Sequence, residues 1–153
     1  MDINSALNEV LVKLFRNINV IEEHAICTDE YKDLTTNDMH VIEAIGTAGA
    51  KNMTSVARSL EVTTGTLTIA VNSLVKKGYV DRVRSEEDRR VVLISLSDKG
   101  QGAYLHHRKF HDQMIDTIVE ELTEEEQQVL EKALTKLDYF FCSANSGRGE
   151  KGR

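Results

Sequence analysis

Thr64-Gly65-Thr66-Leu67-Thr68, with Asn72 one helical turn further on, places three hydroxyls and an amide within nine residues. Small polar groups of this kind bond phosphate oxygens and base edges, threonine methyls pack on thymine methyls, and an asparagine amide pairs with adenine. Asp88-Arg89-Arg90 is a second constellation. Its guanidiniums suit a narrow, electronegative groove, and the carboxylate can orient one of them through a bidentate pair. A third consists of His107 and His111, four residues apart and therefore on one face of any helix that carries them. Together with His40 and the Glu22-Glu23-His24…Cys27 group, they offer imidazole, carboxylate and thiolate, which are zinc ligands. The alternative for these histidines is ordinary hydrogen bonding or solvation. The neighbours Asp29 and Glu30 would raise the pKa of Cys27, which argues against a reactive thiol. There is no nucleophile elbow, phosphate-cradling glycine loop or CxxC pair, and no nucleophile accompanies His107, His111 and Asp112. The expectation is therefore that the chain is not an enzyme.

These groups need elements to hold them. Ile3, Leu7, Val10, Leu14, Ile18 and Ile21 recur at helical spacing and predict one amphipathic helix over 3–26, longer than a small domain needs, so that part of its apolar face meets another chain. Thr35-Thr36-Asn37-Asp38 reads as a capping box for a helix ending near Gly46 to Gly49. Thr54 reads as the cap of a short helix, and the turn Glu61-Val62-Thr63 leads to a second helix over 64–77, closed by Gly78. Two strands, 79–84 and 91–96, flank the charged hairpin. Ser97 and Thr123 start two further helices, and the polar, glycine-rich 143–153 reads as a disordered tail.

The 153 residues carry 29% charged and 41% hydrophobic side chains, ordinary for a globular protein. No apolar run reaches 18 residues, so no membrane partner is expected, and no signal-peptide pattern opens the chain. With only two cysteines, Cys27 and Cys142, a reducing cytoplasm is the expected setting. The net charge is −6, yet residues 54–94 hold seven Lys/Arg against five acids, leaving +2 there and −8 elsewhere. A duplex would meet a mildly favourable patch on an acidic body.

A short helix, a tight turn, a second helix and a charged hairpin, in that order, make a winged helix-turn-helix. The fold class expected is mainly α with a small β-wing, flanked by long N- and C-terminal dimerisation helices. The corresponding parts are 1–33 (dimerisation helix and linker), 34–96 (winged domain), 97–142 (C-terminal dimerisation helices) and 143–153 (tail). Candidate contacts to double-stranded DNA are Thr54, Thr64, Gly65, Thr66, Thr68, Asn72, Lys76, Arg84, Arg89 and Arg90, with Asp88 orienting the wing.

The stretches Val62-Thr63-Thr64-Gly65-Thr66-Leu67-Thr68, Leu74-Val75-Lys76-Lys77-Gly78-Tyr79-Val80 and Asp88-Arg89-Arg90-Val91 resemble the MarR family of bacterial regulators. The resemblance implies a homodimer with interleaved terminal helices and two winged lobes facing a palindromic operator. It puts the family's wing arginine on Arg90 and its recognition-helix contacts on Thr64, Thr66, Thr68 and Asn72. Many members carry a basic residue where this chain has Ile69, so that contact is lost. Val20-Ile21-Glu22-Glu23, Arg82-Val83-Arg84-Ser85-Glu86 and His107 before Phe110-His111 are similar to the branch that represses fatty-acid synthesis genes. That similarity implies acyl-acyl carrier protein as a co-repressor; no cofactor is expected to be required. The alternative within the family is a zinc-responsive regulator using Glu23, His24, Cys27, His40, His107 and His111.

Overall fold

The computed structural model describes residues 2–26, 28 and 30–146. In chain order they form α1 (Ile3–Ile26), α2 (Thr36–Ile45), β1 (Lys51–Asn52), α3 (Met53–Ser59), α4 (Thr64–Lys77), β2 (Val80–Arg84), β3 (Val92–Leu96), α5 (Asp98–Glu120) and α6 (Glu124–Ser146). The chain divides into two compact units, one up to Phe110 and one from His111, the division falling inside α5. Mainly helical architecture with a small sheet is the fold class expected from sequence.

The first unit holds the core, built where amphipathic faces converge: Ile42 and Ile45 of α2, Leu67, Val71 and Leu74 of α4, and Ile94 of β3. Local chemistry sets the boundaries of these helices. At α2 the Asp38 backbone N–H donates to Thr35 Oγ1 at 3.1 Å while the Thr35 N–H donates to Asp38 Oδ2 at 3.0 Å, a complete capping box. At the end of α4, Gly78 takes φ +86°. Its N–H reaches Val75 O at 3.0 Å and the Tyr79 N–H reaches Leu74 O at 2.9 Å, a Schellman closure. The turn between α3 and α4 closes in the same way without a glycine: Glu61 sits at φ +55°, with its N–H on Arg58 O and the Val62 N–H on Ala57 O. Gly100, in the first turn of α5, is required by close approach, because a Cβ there would lie 2.1 Å from Tyr79 O.

The structure differs from the sequence reading at three points. Thr54 does not cap α3; Asn52 does, its Oδ1 accepting from the Ser55 N–H at 2.7 Å, because an amide two residues upstream already satisfies the first turn. The sheet has a third strand, β1, pairing antiparallel to β3 through Lys51–Ile94 and Asn52–Leu93 in the order β1-β3-β2. Two residues show no period, so a strand this short carries no sequence signal. Finally, α6 continues through Ser146, so the first part of the expected tail is helical; residues 147–153 lie outside the described residues.

The second unit contains the rest of α5 and α6, joined by a turn in which Thr123 and Glu126 form another capping box at 2.9 and 3.3 Å. Both units leave apolar side chains in water: Leu14, Phe15 and Ile21 on α1, and Leu134 and Phe140 on α6. No helix of the described residues is long and apolar enough to cross a membrane.

Candidate nucleic-acid interface

Helix α4 presents two faces. Leu67, Val71 and Leu74 are buried, while Thr64, Gly65, Thr66, Thr68, Ile69 and Asn72 are exposed, Ile69 at 74%. The hydroxyls on the open face are differentiated by local bonding. The N-cap Thr63 accepts from the Thr66 N–H at 3.1 Å and donates to Thr66 Oγ1 at 2.9 Å, which leaves the Thr66 hydroxyl hydrogen free to donate outward. Thr68 donates to Thr64 O at 2.7 Å, which leaves its oxygen with acceptor capacity only. At Gly65 a Cβ would come no nearer than 3.9 Å to Thr63 Oγ1, so nothing in the fold demands glycine there. Without a Cβ, the backbone of this exposed first turn is left uncovered.

The C-terminal end of α4 is locked. Lys77 Nζ donates to Asp33 O at 2.7 Å and to Asp38 Oδ2 at 2.8 Å, and Lys99 Nζ donates to Lys77 O at 3.1 Å. Lys77, which contributes to the local charge surplus in sequence, is therefore spent on structure, whereas Lys76 remains exposed. The fully buried Tyr79 donates its hydroxyl to Asp33 Oδ1 at 2.6 Å. Burial first, then the Asp33 carboxylate, pushes the Tyr79 phenol above its ordinary pKa; that bond in turn holds Asp33 below the usual carboxylate value.

The wing is the β2–β3 hairpin, paired from Val80–Leu96 to Arg84–Val92. In its loop the Ser85 N–H donates to Val91 O at 2.9 Å, and Arg84 Nη1 donates to Arg89 O at 2.8 Å. Asp88 accepts from the Arg90 backbone N–H at 3.0 Å and from its guanidinium, Nε at 3.2 Å and Nη2 at 3.4 Å. Those two contacts, the backbone bond first, lower the Asp88 pKa. Arg89 and Arg90 both face solvent. Between wing and helix lies a hollow of about 430 Å³, lined by Met53, Thr68, Asn72, Arg82, Arg84 and Val92. Arg82, absent from the sequence candidates, donates there to Asn72 Oδ1. The period-2 register Val80-Arg82-Arg84 was the signal that could have found it. Thr54 is exposed in the first turn of α3.

Among the metal candidates, His107 comes together with Glu22 in the first unit, a ligand atom of each lying within 4.8 Å of the other. Glu23, His24 and His40 are exposed, His107 is buried with Nε2 3.2 Å from Glu43 Oε1, and His111 is half-buried in the second unit. Cys27 lies outside the described residues.

Comparison with known proteins agrees with this geometry. The family described as "Transcriptional regulator SarA/Rot" matches residues 25–106. The transcriptional regulator AdcR of Streptococcus pneumoniae is 30% identical over 139 residues, covering 89% of this chain and 92% of that protein. Streptococcus pneumoniae FabT, solved in complex with DNA, superposes with a TM-score of 0.87 at 40% identity, covering 92% of this chain and 99% of FabT. The MarR family transcription regulator SP03579 shares the fold, with a TM-score of 0.78 at 15% identity over 93% and 92% of the two chains. The chain thus belongs to the SarA/Rot family of transcriptional regulators and is a DNA-binding regulator of MarR type, close to FabT.

Proposed function

We propose that this protein is a homodimeric repressor that binds a palindromic operator and controls fatty-acid synthesis genes, with acyl-acyl carrier protein as co-repressor. The observation that carries the reading is the 40% identity to FabT, a protein solved on DNA, over nearly the whole chain. In this reading α4 enters the major groove, with Thr64, Gly65, Thr66, Thr68 and Asn72 at base edges and Lys76 on the backbone. Arg84, Arg89 and Arg90 take the wing to the adjacent minor groove, Asp88 holding the Arg90 guanidinium, and Thr54 meets a phosphate. The second copy covers the apolar side chains that α1 and α6 leave in water, each worth roughly 1.5–3 kcal/mol when fully buried. The slight charge surplus makes the two lobes acting together, rather than raw charge, the source of affinity.

Replacing Arg90 with Ala tests the reading on an operator recovered from a random duplex library. Affinity is expected to fall about tenfold or more while sedimentation still reports a dimer; unchanged affinity removes the wing from the interface. Added acyl-acyl carrier protein is expected to tighten operator binding. No response leaves the DNA reading intact but overturns the fatty-acid assignment, and a response to zinc in the same titration favours the metal-responsive alternative.

A further inference from the structure

Arg82 reaches the interface through strand geometry. Val80, Arg82 and Arg84 alternate along β2 and pair with Leu96, Ile94 and Val92, and residues paired across antiparallel strands project to the same face. Val80 and Ile94 are buried, so this face packs on the helices, and Arg82 is the first residue on it to emerge. It emerges over α4, and its Nη2 donates to Asn72 Oδ1 in the hollow shared with Thr68 and Arg84.

That bond changes what Asn72 can read. An asparagine recognises adenine by accepting from the N6 amino group through Oδ1 while donating from Nδ2 to N7. Here a guanidinium already donates to Oδ1, and its positive charge repels the hydrogens of an incoming amino group. The polar hydrogens left facing solvent belong to Nδ2 of Asn72 and to the rest of the Arg82 guanidinium, all of them donors. Guanine presents two acceptors, N7 and O6, and no donor along its major-groove edge. We propose that Arg82 is a specificity-determining residue, converting Asn72 from an adenine reader into half of a donor-only pair that selects guanine. The proposal rests on the reading of α4 as the helix in the major groove.

The experiment is selection from a random duplex library by the full chain, followed by sequencing, for the wild type and for Arg82→Ala, Arg82→Lys, Asn72→Ala and Thr66→Ala. Wild type is expected to enrich guanine over adenine about tenfold at the half-site position that Asn72→Ala randomises, the discrimination of a good paired contact. Arg82→Ala should move that position to adenine and leave the others alone, whereas Arg82→Lys, which keeps a cationic donor, should retain guanine. Adenine in the wild type at that position, or a guanine preference untouched by Arg82→Ala, overturns the proposal. If Thr66→Ala erases a position and Asn72→Ala erases none, the proposal fails while the groove assignment of α4 stands. If neither variant alters any position, both fail.

Discussion

Replacing Tyr79 with Phe removes one hydroxyl and no packing volume. The ring stays fully buried, with the Tyr31 ring centroid 6.4 Å away and Lys99 Nζ 4.2 Å above its face. What is lost is the 2.6 Å bond from the phenol to Asp33 Oδ1. A hydrogen bond to a charged partner contributes about 1.5–3 kcal/mol. The Asp33 side chain is 43% exposed, so water takes up part of the vacated interaction, and the expected loss is ~1–1.5 kcal/mol. Its pH dependence separates this bond from a packing defect. Because the Tyr79 hydroxyl holds the folded Asp33 pKa below its ordinary value, the stabilisation is fully present above about pH 4. It is lost as pH falls through the lowered folded value. The gap between wild type and variant in urea unfolding should therefore be widest near neutrality and close in acid. Tyr79 itself adds the opposite limb: its raised pKa gives stability present below about pH 10 and lost as pH rises beyond it, a loss the Phe variant lacks. A gap of equal size in acid and at neutrality would refute the assignment of this bond.

Two further perturbations probe the framework of the winged lobe. Gly100→Ala drives a methyl to 2.1 Å from Tyr79 O, a backbone atom already accepting from the Ser97 N–H at 3.0 Å. Overpacking costs about 1–3 kcal/mol against a helix-propensity gain of at most ~1. Thermal unfolding should show net destabilisation, and a melting temperature at or above wild type would contradict the close approach. Glu61→Gly relieves a non-glycine residue at φ +55° and should raise stability by roughly 0.5 kcal/mol, strain relief outweighing the added freedom of the unfolded chain. A loss in urea unfolding would show that the Glu61 side chain contributes more than its backbone costs.

How much of this was legible in sequence depended on the range of the physics. Capping chemistry acts within four residues, so Thr35-Asp38, Gly78 and Thr123-Glu126 marked helix ends correctly. At α3 the sequence pointed to Thr54, but Asn52, two residues upstream, holds the cap. Strand β1 exists because β3, far along the chain, offers it hydrogen bonds through Lys51–Ile94 and Asn52–Leu93, information that no local pattern contains.

The functional face divides in the same way. Composition and order alone determined that a threonine-rich helix would be followed by an arginine-tipped hairpin, because helical and strand periods are written into the spacing of apolar residues. Only the tertiary structure decided what each polar group has left to offer. Lys77 is bound to Asp38 and Asp33, Thr68 has given its hydrogen to Thr64, and Asn72 carries Arg82 on its oxygen. A side chain's donors and acceptors are listed by its type, but those that remain free depend on neighbours that folding brings from other elements.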